Sequence, residues 1–139
     1  MPSPATDPAR PDIVLAQSEA ARLSALALSL ERSAPFAAGL LLQEIDRAEI
    51  RPDGAMPPDV VRMHSTLQFV DSLHGRPRTV MLVYPAEADI SAGKVSVMTP
   101  VGAGLIGLPV RQPISWPDLE GRERLLEVVK VRPPTKLRF

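Results

Sequence analysis

The hydrophobic period of the chain changes once, near residue 58. Before that point Ala20, Leu23, Ala27 and Leu30 recur at spacings of three and four, the period of a helix with one apolar seam. Ala38, Leu41, Ile45 and Ala48 repeat the pattern. The first run predicts a helix over about Glu19 to Arg32, with the Ser18 hydroxyl as its cap and Glu19 favourably placed in its first turn. The second predicts a helix from Pro35, whose missing N–H is not needed at a first helical position, to about Ile50. A short extended piece, Ile13 to Leu15, comes before both. Only Ser33 and Ala34 separate the helices, so they form an antiparallel hairpin, a short coiled coil with arms of about 15 residues and therefore about 22 Å. Arms this short need support, and Phe36, Leu40 and Leu42, off the seam, are the residues expected to dock them on the rest of the chain.

The stretch RPDGAMPP, residues 51–58, reads as an interdomain linker. Beyond it, VVRMHSTLQFVDSL, TVMLVYP, KVSVMT and RLLEVVKV are β-branched or alternating runs broken by Gly and Pro, which predicts strands. Met63, Ser65, Leu67 and Phe69 would share a buried face, against His64, Thr66, Gln68 and Val70 on a wetter one. Thr79 to Tyr84, apolar almost throughout, reads as a central strand. Between the last strands lies TPVGAGLIGLPVRQPISW, Thr99 to Trp116, in which only Val101 to Leu108 has room for two helical turns. Pro100 would start that helix and Pro109 stop it, and its glycines would let a sheet approach closely. The expectation is an α+β fold: a helical hairpin over 13–50, then a curved antiparallel sheet around one short helix over 59–132, with a disordered tail at 1–12 and a second tail at 133–139.

Composition narrows the function. A chain of 139 residues holds one main domain. Sixteen basic residues balance sixteen acidic ones, which removes the attraction that drives non-specific nucleic-acid binding. With no cysteine there is no disulfide and no thiolate zinc site. No apolar run approaches a membrane span and no basic, then apolar leader opens the chain, so the protein is expected to be cytoplasmic. Gly102, Gly104 and Gly107 spell GxGxxG, yet the segment lacks a phosphate-loop lysine and its helix stops too soon for a dinucleotide site, so no cofactor is expected. His64 and His74 lie too far apart in sequence for a paired metal motif and read as a strand and a turn residue. Asp89 reads as the cap of a turn over Ile90 to Ala92 that Gly93 ends, rather than as half of a carboxylate pair with Glu87. No catalytic or metal-binding residue is assigned. The carboxy-terminal KVRPPTKLRF adds a mild positive bias that would favour an acidic partner.

The order EADISAGKVSVMTPVGAGLIGL, then ISW, then RLLEVVKV resembles the carboxy-terminal domain of the Gre transcript-cleavage factors. Glu87, Ala88, Asp89, Gly93, Val95, Ser96, Thr99, Pro100, Gly102, Leu105 and Gly107 carry the resemblance. LVYPAEAD, EIDRAEI and MPPDVVRMHSTLQF extend it toward the Rnk subgroup, named regulators of nucleoside diphosphate kinase, over about Ile13 to Val131. The resemblance implies an FKBP-like sheet, a helical hairpin, and a non-catalytic regulator that binds RNA polymerase near its secondary channel and competes with cleavage factors. It assigns Thr99, Pro100, Val101 and Gly102 to polymerase contact. Gre factors carry a longer hairpin whose acidic tip helps hold a catalytic metal. Here the tip reads LERSAPF, with Glu31 as its one carboxylate followed directly by Arg32 and Ser33, and the arginine opposes cation binding. Where relatives commonly carry Gly-Asp ahead of ISW, this chain has Arg111 and Gln112. Two alternatives are a protein contact that controls nucleoside diphosphate kinase and, from fold analogy alone, a peptidyl-prolyl isomerase. The second needs a cluster of aromatics, and the chain has one Trp, one Tyr and three Phe.

Overall fold

A computed structural model describes residues 10–118 and 120–134. The tail segments 1–9 and 135–139 lie outside the described residues. The chain runs β1 (Val14–Ala16), α1 (Gln17–Ser29), α2 (Pro35–Arg47), β2 (Glu49–Arg51), β3 (Thr66–Asp71), β4 (Pro77–Val83), β5 (Lys94–Ser96), α3 (Pro100–Leu105), β6 (Ile114–Pro117) and β7 (Glu123–Arg132). Five strands form one sheet in the order β5-β4-β3-β7-β6. This is the expected α+β architecture, a helical hairpin followed by a curled sheet with a short helix, and it differs in one detail. β5 lies parallel to β4, so the sheet is mixed rather than antiparallel throughout. After β4 the chain doubles back through two single 3-10 turns, Pro85–Glu87 and Ile90–Ala92, and re-enters in the same direction.

In the hairpin Ala20, Leu23 and Ala27 face Ala38 and Leu41, all buried, with Leu30, Ile45 and Ala48 packed at the margins. The helix ends differ from the expected ones for reasons that lie far away in sequence. α2 stops at Arg47 because Glu49–Arg51 extends and pairs in parallel with β1, Val14 opposite Glu49 and Ala16 opposite Arg51. Ser18 does not cap α1. The N-cap is Ala16, which has no side-chain oxygen, and the orphan donors are met from outside: the Ser18 N–H donates to Asp53 Oδ1 at 3.0 Å and the Ser18 hydroxyl donates to Oδ2. Residues 51–58 therefore join the halves of the chain and are also fastened back onto the start of α1. Glu19 ties α1 to the second half, accepting from Arg62 Nη2 at 2.7 Å and from the Met63 N–H at 3.2 Å.

One apolar cluster runs through the whole molecule, from Ile13, Leu23 and Leu41 to Phe69, Leu105 and Trp116. The foreseen alternation is present along β3 and in the turn that leads into it, with Met63, Ser65, Leu67 and Phe69 inside. Fully burying side chains of this size stabilises by about 1.5–3 kcal/mol each before the entropy of ordering them is charged. One carboxylate, Glu44, is wholly buried, and it is held by Arg47 at 2.8 and 3.0 Å and approached by Arg10 at 3.5 Å. Arg47 also donates to the Pro11 carbonyl at 2.6 Å, and Arg10 lies 5.0 Å above the Trp116 ring, so the described start of the chain is strapped onto the core. Among the described residues no helix is long and apolar enough to cross a membrane.

The bonds from Ser18 hold the Asp53 carboxyl below the ordinary carboxylate range. A group whose folded pKa is depressed contributes in full above its unfolded value and loses that contribution as pH falls through the folded one. Asp53→Ala is expected to lower the thermal midpoint by a few degrees at pH 7, and to lose less stability than the wild type between pH 5 and the acid transition. Melting curves followed by circular dichroism across that range check both effects.

Candidate functional site

The segment Thr99–Gly102 is built into the start of α3. Thr99 Oγ1 accepts from the Gly102 N–H at 3.1 Å and donates to the Ser96 carbonyl at 2.7 Å, which caps the helix and anchors it to β5. A side-chain carbon at Gly102 would overlap the Ser96 carbonyl, and one at Gly104 would lie 2.8 Å from the Trp116 ring. The indole Nε1 donates to the Pro100 carbonyl at 2.6 Å. Gly107, at φ +76°, turns the chain where a side-chain carbon would meet the Val14 carbonyl at 2.9 Å. The GxGxxG glycines are thus spacers between α3, the sheet and β1, in keeping with the packing role read from the sequence.

Beside α3 opens a groove of about 500 Å³. Phe69, Val80, Val95, Pro100 and Val101 make its apolar wall, while Arg78, Lys94, Arg122 and Arg124, with Asp118 and Glu120, supply charge. Of the four residues singled out in Thr99–Gly102, the Thr99 hydroxyl and the buried Gly102 are engaged by the fold, whereas Pro100 and Val101 present half-buried apolar surface to the groove. Ile90 also lines it and is 87% exposed, the most exposed large apolar side chain among the described residues. Its turn is capped as foreseen: Asp89 Oδ1 accepts from the Ser91 N–H at 3.1 Å and Gly93, at φ +72°, ends it. Those bonds, led by the Ser91 hydroxyl, hold the Asp89 carboxyl below its ordinary range. Arg122 is engaged by Asp118 at 2.9 Å and Glu120 at 3.4 Å.

The hairpin tip is separate from this groove. Glu31, Arg32 and Ser33 are all exposed in the turn between α1 and α2, and none lines the groove. Among the described residues no three His, Asp or Glu side chains come together in a way that could hold a metal ion. A single carboxylate beside an arginine does not fit the acidic, metal-holding tip that the resemblance associates with RNA cleavage. His64 is not a strand residue. It precedes β3 at φ +67°, and its Nε2 lies 2.8 Å from Glu87 Oε1. His74 is exposed in the turn after β3, as expected. Sequence reading missed Ile90 and Arg124 as groove residues, because both depend on how the β4–β5 connection and β7 are brought to α3.

The pattern of the transcription elongation factor GreA/GreB carboxy-terminal family matches residues 56–133. This chain belongs to the GreA/GreB family. It is 39% identical over 127 residues to the regulator of nucleoside diphosphate kinase of Escherichia coli K12, covering 88% of this chain and 90% of that protein. Transcription elongation factor GreA of Rhodospirillum rubrum is 34% identical over 86 residues, 62% of this chain but 54% of that protein. Among solved structures, a GreA/GreB elongation factor from Nitrosomonas europaea superposes with a TM-score of 0.68 at 34% identity, covering 89% of this chain and all of that one.

Of the pair ahead of β6, Arg111 occupies a special backbone position, while nothing in the structure explains Gln112. Arg111 sits at φ +64°, the left-handed region that favours glycine, while its N–H donates to the Val128 carbonyl at 2.8 Å. Glycine there would relieve a backbone penalty of roughly 1–2 kcal/mol, partly offset by the extra freedom of an unfolded glycine. Arg111→Gly is expected to raise stability by about 0.5–1 kcal/mol in urea titration, because the arginine side chain is exposed and its backbone hydrogen bond survives.

Proposed function

We propose that this protein is a non-catalytic regulator of transcription that binds RNA polymerase near the secondary channel through the groove beside α3 and competes there with cleavage factors. Family membership supports polymerase as the partner. The observation that carries the non-catalytic reading is the tip: Glu31 is its one carboxylate, and Arg32 follows directly. Helices of 13 residues each reach about 20 Å, which suits occupancy of a channel mouth more than delivery of a catalytic group to a distant centre. Pro100, Val101 and Ile90 supply the apolar contact surface, and Thr99 and Gly102 act by holding α3 in place. The name of the Escherichia coli relative points to nucleoside diphosphate kinase, and control of that enzyme through transcription agrees with the absence of a nucleotide-binding motif in the sequence.

Two measurements test the reading. Immobilised core RNA polymerase is expected to retain the wild-type protein, and Ile90→Asp to weaken binding at least tenfold with an unchanged thermal midpoint, since that side chain packs on almost nothing. In a backtracked elongation complex the protein alone is expected to release no RNA fragment and to slow cleavage by an added Gre factor. Fragment release by this protein alone would overturn the non-catalytic reading, and failure to bind polymerase would overturn the whole proposal.

A further inference from the structure

The inward face of β7 carries Arg124, Leu126 and Val128 in alternation, so an arginine occupies a position that the sheet otherwise fills with apolar side chains. It stands opposite Trp116 in the β6–β7 register and lines the groove. Its side chain is only 6% exposed. The nearest carboxylate, Asp71 Oδ2, is 3.8 Å from Nε, beyond hydrogen-bond range, while Asp71 Oδ1 accepts the Leu73 N–H at 2.9 Å. Among the buried side-chain polar atoms described, Arg124 Nε is the one that makes no hydrogen bond. Desolvating a donor without an acceptor costs stability, and folded proteins rarely leave such a group without a reason.

We propose that Arg124 receives an Asp or Glu carboxylate from the polymerase segment that docks in this groove. The inference rests on the polymerase-binding reading above and adds the chemistry of the contact. Three observations converge on an acidic occupant. The groove lining holds four cations against two carboxylates, and Arg122 already engages both of those carboxylates. Arg78 and Lys94 stand on the same groove and extend the positive field over it. The Arg124 side chain lines the groove, and its Nε–H, closed to solvent and 3.8 Å from Asp71, completes the planar fork that carboxylates accept with two parallel hydrogen bonds once the guanidinium turns toward an incoming acid. Around that anchor the wall formed by Phe69, Val80 and Val95 suits apolar side chains flanking the acidic one. The occupant is therefore a protein segment with a carboxylate set among apolar residues, and its arrival satisfies a donor that the free protein leaves unmet.

The test uses two variants whose folding is checked separately. Arg124→Lys keeps the charge and loses the fork. Asp71→Asn combined with Arg124→Met removes both buried charges together, so neither is left alone. Thermal midpoints and the affinity of fluorescently labelled protein for core RNA polymerase are measured at low and moderate salt. Both variants are expected to melt within a few degrees of the wild type and to bind about 10- to 100-fold more weakly, the double variant with a shallower salt dependence. A folded double variant that binds with wild-type affinity and salt dependence overturns the inference. If Ile90→Asp still weakens binding in that case, the docking surface stands without the carboxylate contact, whereas a wild-type protein that fails to bind removes both. A purely structural arginine would show the opposite split: a lowered midpoint with unchanged affinity of the folded fraction.

Discussion

The structure is organised around the contact between the Trp116 indole and the glycine face of α3. Gly104 has no side chain, so the ring can press against the helix backbone, and the indole N–H is spent on the carbonyl of Pro100 at the helix start. A buried Trp that satisfies its N–H in this way contributes both apolar area and direction. Direction matters because α3 has only two turns and cannot orient itself by length. Gly102 lets its first turn lie on β5, Thr99 bonds it to Ser96, and Trp116 fixes its far side. Any residue larger than glycine on that face would push the helix off the sheet and open the groove wall that Pro100 and Val101 form.

From the same tryptophan the constraint passes to the hairpin. Arg10 lies over the ring and reaches Glu44, which Arg47 holds in turn on α2. On the other side Gly107 receives β1, and its carbonyl accepts the Val14 N–H at 3.2 Å. Asp53 and the Glu19–Arg62 pair hold the base of α1. Individually such polar ties are worth little at a surface. Together with the shared apolar cluster they attach the hairpin to the sheet at several points, so its direction is set by the core rather than by a hinge.

Period was the most legible property of the sequence. The helical seams and the inward alternation along β3 follow from side-chain geometry alone, and they hold at Ala20, Leu23, Ala27, Leu67 and Phe69. Helix ends were less legible. Ser18 is a reasonable cap by type, but the acceptor that serves α1 is Asp53, 35 residues away, and no local rule reports a bond of that span. The parallel pairing of β5 was also hidden, because a three-residue strand bears no mark of its partner's direction. The glycines announced a close approach without saying to what. Arg124 went unread although it falls in phase with Leu126 and Val128, and its lack of an acceptor depends on how Asp71 and the groove are placed in space.

The division of labour within the family gives these details their weight. The match to the GreA of Rhodospirillum rubrum covers 54% of that protein, whereas the match to the nucleoside diphosphate kinase regulator covers 90% of it. The matched family domain is the one that carries the groove. On the proposed reading the protein acts by occupancy, and occupancy is set by affinity and concentration rather than by a reacting group. Selection for affinity would then act on the surface that meets the partner. A buried guanidinium whose Nε lacks an acceptor makes physical sense in that setting. On that proposal its cost falls on the free protein, where the hydrophobic cluster around Phe69 and Trp116 supplies stability to offset it, and the proposed complex would satisfy it with a single carboxylate. Under the proposed function, a short tip with one acidic residue and a groove with one unmet donor would be two consequences of the same requirement, binding without chemistry.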